Sequence, residues 1–313
     1  MRLIVGTRGS QLARLQTHWV VTRLRARFPD LEIEERVIQT QGDGVRDRPL
    51  RQIEGRGLFV RRIEEALLAG EIDLAVHSLK DLPTEMPAGL AIGAVPGRED
   101  PRDALVSRGG LPLAKLPAGA VVGTSSRRRA AQLLHLRADL TIRDMRGNVD
   151  SRLRKVEGGG YDAVVMAAAG LVRLGATSRV SQYFPVDEMV PAPGQGALAV
   201  EVREGDEPVT TLLAGLDAPA VRSAVEVERA LLRVVGGGCA LPVGGYAEVR
   251  AGCLHLTGMV GTPDGRVVVK GTWSGETAGG LALAEEAGRW LLAEFRRQAG
   301  VEFLGQEANG ERA

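Results

Sequence analysis

An aspartate directly follows a lysine in His77-Ser78-Leu79-Lys80-Asp81-Leu82-Pro83. A carboxylate beside an ammonium group can stabilise a developing positive charge or shuttle a proton. A turn-capping aspartate before Leu-Pro is the alternative, and the residues alone leave both open. Lys80 is one of four lysines (with Lys115, Lys155 and Lys270) against thirty-six arginines. A lysine kept in that background hints that ammonium chemistry or size matters there. His77 reads as a packing or capping residue.

The second chemical feature is a thiol, Cys239, in Gly236-Gly237-Gly238-Cys239-Ala240-Leu241-Pro242. Three glycines leave no side chain between the sulfur and an approaching group, and they permit backbone angles that present it outward. A reactive or covalently occupied sulfur and an inert small hydrophobe both remain open.

The third is a set of cations. Arg8, Lys80, Arg128, Arg129, Arg146, Arg152 and Arg173 each stand at or just past a predicted strand end or early in the following helix. Guanidinium forks bind oxyanions bidentately, and helix N-termini add unsatisfied N–H groups. Singly, each cation reads as solvated surface; together they read as an anion-binding cleft. No GxxxxGK[ST] occurs, and no GxGxxG opens a helix in the right context, so an organic polycarboxylate suits these cations as well as phosphate does.

These groups need a scaffold. At 313 residues, 44% of them hydrophobic, the chain suggests two or three domains. A net charge of +1 argues against a protein that tracks nucleic-acid backbones. No apolar run approaches a membrane span and the start is too short for a signal peptide, so a cytoplasmic protein is expected. Cys239 and Cys253 form no CxxC, and the four histidines form no ligand pair at helical spacing, so neither a disulfide nor a metal is expected.

Leu3-Ile4-Val5 reads as a buried strand, followed by Gly6-Thr7-Arg8-Gly9-Ser10 and a helix with Leu12, Leu15, Trp19 and Val20 on one face. The alternation continues with a strand over 32–38, a helix over 58–69 stopped by Gly70, and a strand over 72–76. A second set follows: Val121-Val122, the loop Gly123-Thr124-Ser125-Ser126, a helix over 127–136, a strand over 140–143, the loop Arg146-Gly147-Asn148, a helix from Val149 and a strand over 163–166. Such alternation predicts α/β sheets whose strand-end loops gather at one crevice. Pro191-Ala192-Pro193-Gly194-Gln195-Gly196-Ala197-Leu198 reads as a hinge or a plain connector entering a strand. A helix from about Ala218 and strands over 245–249, 254–260 and 267–272 predict a small α+β domain, with Thr262-Pro263-Asp264-Gly265 as a hairpin turn. A helix containing Leu281, Trp290, Leu291 and Phe295 follows.

Over nearly its whole length the chain resembles the hydroxymethylbilane synthase family, also called porphobilinogen deaminases. The matching segments are Gly6 to Ser10, Gly57 to Val60, His77 to Pro83, Arg98-Glu99-Asp100-Pro101-Arg102-Asp103, Gly123 to Arg129, Arg146 to Val149, Pro191 to Leu198 and Gly236 to Cys239. The resemblance implies two α/β domains similar to periplasmic-type binding proteins with linking strands, over 1–97 with 197–216 and over 98–196. A third, α+β domain with a three-stranded antiparallel sheet spans 217–313. It implies a dipyrromethane cofactor joined to Cys239 by a thioether, Asp81 as the catalytic carboxylate, and head-to-tail condensation of four porphobilinogens with loss of ammonia. Arg8, Ser10, Lys80, Ser126, Arg128, Arg129, Arg146, Arg152 and Arg173 match family residues that hold cofactor and substrate carboxylates; Arg56 and Phe59 are candidate covers of the cleft. A monomer is implied. Two positions depart from the family pattern: Arg56 stands where lysine is common, and Arg127 replaces an apolar residue. Two other readings use the same features: a receptor for small anions, and a thiol enzyme with Cys239 as nucleophile, which lacks an evident histidine partner.

Overall fold

Leu3 and Val5 are wholly buried in β1 (Arg2–Arg8). A computed structural model describes residues 2–39, 60–236 and 241–300, so Arg56, Phe59 and Cys239 lie outside the described residues. Two compact units divide the chain: Met1–Pro101 with Ala169–Ala176 and Gly194–Arg222, and Arg102–Ala168 with Thr177–Pro193 and Ser223–Ala313.

In the first unit, β1 lies between and parallel to β2 (Glu32–Ile38) and β3 (Leu74–Ser78). With β4 (Leu90–Ala94) and the returning β10 (Leu198–Arg203), the order is β2-β1-β3-β10-β4, and β10 runs antiparallel to both of its neighbours. Period-two alternation assigns the two faces. Leu74, Val76, Leu198 and Val200 join α1 (Gln11–Arg27) in one core, whereas Ala75 packs with Ile63, Ala66 and Leu67 of α2 (Arg61–Leu68) in another. Because β1 and β3 are parallel neighbours, Arg8 and the turn after Ser78 emerge at the same edge of the sheet.

Helix α1 starts where the Ser10 side chain accepts a hydrogen bond from the Ala13 N–H at 3.3 Å, and it ends with Arg25 and Arg27 near its negative pole. Its buried face differs from the expected one. Leu15 is exposed, and the inward positions are Ala13, Gln16, Thr17, Val20, Val21 and Leu24. Gln16 is drawn inward because its amide donates to the Ser78 hydroxyl at 2.8 Å, a tertiary contact that hydrophobic spacing does not announce. Helix α2 is followed by Gly70 at φ +70, the left-handed stop expected of a glycine there.

The second unit holds two sheets. In the first, β5 (Asp103–Ser107), β6 (Val121–Gly123), β7 (Thr141–Arg143), β8 (Ala163–Ala167) and β9 (Gln182–Tyr183) take the order β7-β6-β8-β5-β9. Here β6 is parallel to β7 and β8, while β5 is antiparallel to β8 and β9. Helices α3 (Arg127–Leu136) and α4 (Val149–Glu157) follow β6 and β7. The other sheet is the antiparallel β11 (Val243–Arg250), β12 (Cys253–Gly261) and β13 (Val268–Glu276). Its core joins Leu231 of the helix over Pro219–Val234 to Leu291 and Phe295 of the helix over Gly280–Ala299. The hairpin turn forms as expected: the Gly265 N–H donates to the Thr262 carbonyl at 3.0 Å with Gly265 at φ +72. Gly265 also abuts α3, where an added Cβ would lie 2.5 Å from the Ala131 carbonyl oxygen.

The two α/β sheets and the three-stranded antiparallel sheet agree with the fold class expected from sequence. Among the described residues, no helix is long and apolar enough to cross a membrane, and no group of acidic, histidine and cysteine side chains could hold a metal ion.

The segment entering β10 depends on glycine. Gly194 and Gly196 have φ +76 and +87, and a Cβ on Gly196 would lie 2.3 Å from the Glu99 carbonyl oxygen. That atom is backbone and cannot swing aside. Gly196→Ala is therefore expected to lower stability by about 1–3 kcal/mol, the scale of a forced left-handed residue, measured as a fall in the urea midpoint.

Candidate active site

Leu79, Lys80 and Asp81 form a single 3-10 turn at the end of β3. Leu79 is its anchor: the side chain is 1% exposed, and its N–H donates to the Ala197 carbonyl at 3.0 Å. With that residue buried, the next two face outward, Lys80 half-buried and Asp81 exposed. A pocket of about 60 Å³ opens here, lined among others by Arg8, Ser10, Gln16, Ser78 and Asp81. A carboxylate, a guanidinium and a serine at a helix N-terminus thus share one small polar recess.

Gln195 organises this edge. It is wholly buried; its side-chain oxygen accepts from Lys80 Nζ at 3.4 Å and its amide donates to the Pro101 carbonyl at 2.8 Å. Its own carbonyl accepts from Arg98 Nε at 2.9 Å. Close by, Arg173 donates to the Gly196 carbonyl at 2.7 Å. Burial pushes the Arg173 pKa down and Glu99 opposes that shift. Arg173 closes the short helix Ala168–Arg173, later in its helix than the sequence pattern suggested.

In the second unit, the candidates sit on the loops after β6 and β7 and in the first turns of the helices that follow. Ser126 caps α3, its hydroxyl accepting from the Arg129 N–H at 3.4 Å, as Ser10 caps α1. Ser125 ties the two loops together by donating to the Met145 carbonyl at 2.6 Å. Arg146 is half-buried, with Nε 3.5 Å from an Asp144 carboxylate oxygen. Arg152 donates to the Gly147 carbonyl at 2.7 Å, and Lys155 donates to the Arg146 carbonyl at 2.9 Å.

Arg128 and Arg129 are not the solvated loop cations that their sequence context suggests. They are 5% and 7% exposed. Arg128 Nη1 contacts Asp103 Oδ2 at 2.7 Å and the Val190 carbonyl at 2.6 Å. Arg129 Nε donates to Asp103 Oδ1 at 2.9 Å, and its Nη1 reaches the Val165 carbonyl at 3.2 Å. Burial lowers the Arg128 pKa, Asp103 counteracts this, and neighbouring Arg129 adds to the lowering.

Sequence reasoning passed over three polar groups. Asp103 belonged to a matching segment but had no role; the signal was an acid opening an apolar strand. Glu201 is wholly buried within Leu198–Arg203, and its Oε2 lies 2.9 Å from His77 Nε2, off the line of a hydrogen bond. A lone acid in an apolar strand was again the only signal. His77 packs here, as expected. Gln195 stood in a segment read only as a hinge or connector.

Two sheets that each send one serine-capped helix and arginine-bearing loops from parallel strand ends define an α/β protein with cations and helix N-termini at its strand ends. Residues 3–211 match the family description "Porphobilinogen deaminase, dipyromethane cofactor binding domain", and residues 223–296 match "Porphobilinogen deaminase, C-terminal domain". The chain belongs to the porphobilinogen deaminase family. It is 52% identical over 298 residues to the porphobilinogen deaminase of Roseiflexus sp. (strain RS-1), covering 93% of this chain and 98% of that protein. It is 49% identical over 306 residues to a porphobilinogen deaminase of Thermus thermophilus, with 97% of this chain and 98% of that protein covered. Among solved structures, the VFT2 domain of Bordetella pertussis BvgS is similar over 74% of this chain and 90% of that chain, with 17% identity and a TM-score of 0.42.

The caps allow a clean separation of two roles. Ser126→Ala is expected to cost about 1 kcal/mol of stability and Ser126→Gly only a few tenths. If the hydroxyl also meets a ligand, both variants should raise KM alike; a KM that follows stability instead would leave Ser126 as a cap alone.

Proposed function

We infer that the chain condenses four porphobilinogen molecules head to tail, with loss of one ammonia at each addition. The chain grows on a covalently held dipyrromethane primer, and water then releases the linear tetrapyrrole hydroxymethylbilane. The observation that carries this reading is the recess at the end of β3, where the exposed Asp81 carboxylate shares a pocket with Arg8 and Ser10 in a chain of this family.

Each pyrrole carries an acetate and a propionate, so a lengthening product accumulates negative charge. The donor set suits it: guanidiniums and an ammonium held in place by neighbouring carbonyl, amide and carboxylate oxygens, with serine hydroxyls at helix N-termini. Arg8, Ser10 and Lys80 in one unit, and Ser126, Arg129, Arg146 and Arg152 in the other, hold carboxylates of cofactor and substrate in this reading, as does Arg173. Arg128 contributes from deeper, through its contacts with Asp103 and Val190. When bound, dipyrromethane supplies the primer on which the chain is extended, held by a thioether to Cys239.

Asp81 does the chemical work. Its carboxylate accepts from pyrrole N–H groups and stabilises the positive charge that develops as ammonia departs and the carbon–carbon bond forms. The burial of Leu79 holds the turn, so the carboxylate is aimed before substrate arrives. The same reading gives a cytoplasmic monomer with no nucleic-acid partner, and a single species at the mass of one chain is the expected result in sedimentation.

Intact mass spectrometry of the purified protein should show two pyrrole units beyond the polypeptide, and Cys239→Ser should lose them. An unmodified but fully active protein would sink the covalent primer. Asp81→Ala should fold normally and lower kcat by about 10²–10³, the scale on which a preorganised electrostatic group acts. Near-normal turnover would return Asp81 to turn capping.

A further inference from the structure

Helix α3 begins against the ordinary electrostatics of helices. Its first three residues are Arg127, Arg128 and Arg129, and its first turn has no acid. The N-terminal end of a helix carries partial positive charge, so three guanidiniums there repel both the helix dipole and one another. Two of them are also buried, which removes the solvent that would otherwise screen them. Something in the fold must offset this arrangement.

Asp103 meets that need. It opens β5, its side chain is wholly buried, and its two oxygens are divided between the two arginines: Oδ2 to Arg128, Oδ1 to Arg129. Backbone pairing fixes the carboxylate from both sides. Asp103 faces Ala167 of β8 in the ladder, and its carbonyl accepts from the Phe184 N–H at 2.9 Å. Each guanidinium has a second, neutral anchor, the Val190 carbonyl for Arg128 and the Val165 carbonyl for Arg129. Gln132, one helical turn beyond Arg128, also grips Val190, donating to its carbonyl at 3.1 Å and accepting from its N–H at 2.8 Å. The two arginines of α3 are thereby tied to a strand of the sheet, with one carboxylate offsetting their mutual repulsion.

We propose that Asp103 is a positioning residue for ligand binding: it holds Arg128 and Arg129 as one preorganised pair at the N-terminus of α3, oriented for the carboxylates of the pyrrole chain. The proposal rests on the functional reading above. Asparagine cannot replace aspartate, because its amide brings N–H donors towards a guanidinium that has only donors. Glutamate keeps the charge but displaces it by one methylene in a fully buried site.

The test compares Asp103→Asn and Asp103→Glu with Asp162→Asn. Asp162 accepts from the Val121 N–H at 2.8 Å and from Arg108 at 3.0 Å in the same sheet, so its loss perturbs the unit away from the paired arginines. Thermal midpoint, kcat and KM for porphobilinogen, and the covalent pyrrole mass are measured for each. Asp103→Asn should raise KM about tenfold or more, the lower end of what outer partners of binding groups contribute elsewhere, and reduce the fraction of molecules carrying the pyrrole mass. Asp162→Asn should lower the midpoint and leave KM and occupancy unchanged. If Asp103→Asn matches Asp162→Asn in KM and occupancy, Asp103 is a stability element only and the proposal fails. If Asp103→Asn does not accumulate as a folded protein, Asp103→Glu decides: a raised KM at a near-wild-type midpoint supports positioning, and a wild-type KM overturns it. A wild-type chain that does not turn over porphobilinogen would overturn the functional reading instead, a result visible before any variant is made.

Discussion

A guanidinium taken out of water must find acceptors, and the kind of acceptor decides what charge is left for a ligand. A carboxylate satisfies the donors and cancels the charge, whereas a carbonyl satisfies donors and leaves the charge in place. Several of the candidate cations have acceptors of the second kind. Arg173 donates to the Gly196 carbonyl, Arg152 to that of Gly147, Arg128 to that of Val190 and Arg129 to that of Val165. Lys80 reaches a neutral amide oxygen on Gln195. These neutral acceptors orient the cations without adding negative charge; at Arg128 and Arg129 they act alongside the single Asp103 carboxylate, which the two guanidiniums share.

That choice constrains the backbone. Carbonyls can serve as acceptors only where the chain brings them past the cations, so irregular segments must lie close to strand ends. The stretch from Gly194 to Ala197 does this in the first unit: it offers the Gly196 carbonyl to Arg173, the Gln195 side chain to Lys80 and the Ala197 carbonyl to the Leu79 N–H. Gly194 lies so near the Lys80 N–H that a Cβ would sit 3.2 Å from that nitrogen. Close approach, left-handed backbone and cation placement are one requirement, met by glycine on both sides of a buried glutamine.

The alternation of strands and helices was legible in the sequence because apolar periodicity is local. The strand-end positions of Arg8 and Asp81 and the hairpin at Thr262 to Gly265 followed from it. What was not legible depends on partners far along the chain. Arg128 and Arg129 look like solvated surface in an arginine run; their burial is set by Asp103, twenty-five and twenty-six residues earlier. The inward turn of Gln16, which leaves Leu15 outside, is set by Ser78, sixty-two residues later. Glu201 reads as a break in an apolar strand until His77 is found beside it. Polar burial is a tertiary property, and single-sequence patterning sees only its anomaly.

Two aspartates show how the same side chain is directed to different ends by its surroundings. Asp103 begins a strand and is wholly buried, with both oxygens committed to arginines. In that setting its charge is spent on the fold, and it can act on a ligand only through the groups that it holds. Asp81 follows a strand, and the burial of Leu79 two residues earlier turns it outward at a recess lined by Arg8 and Ser10. In the proposed reaction that carboxylate is the group that meets the charge developing as ammonia departs. Electrostatic catalysis requires that the acting group be fixed in place but not already neutralised. A one-turn helix anchored by a buried leucine meets both conditions, whereas an aspartate within the sheet would meet only the first.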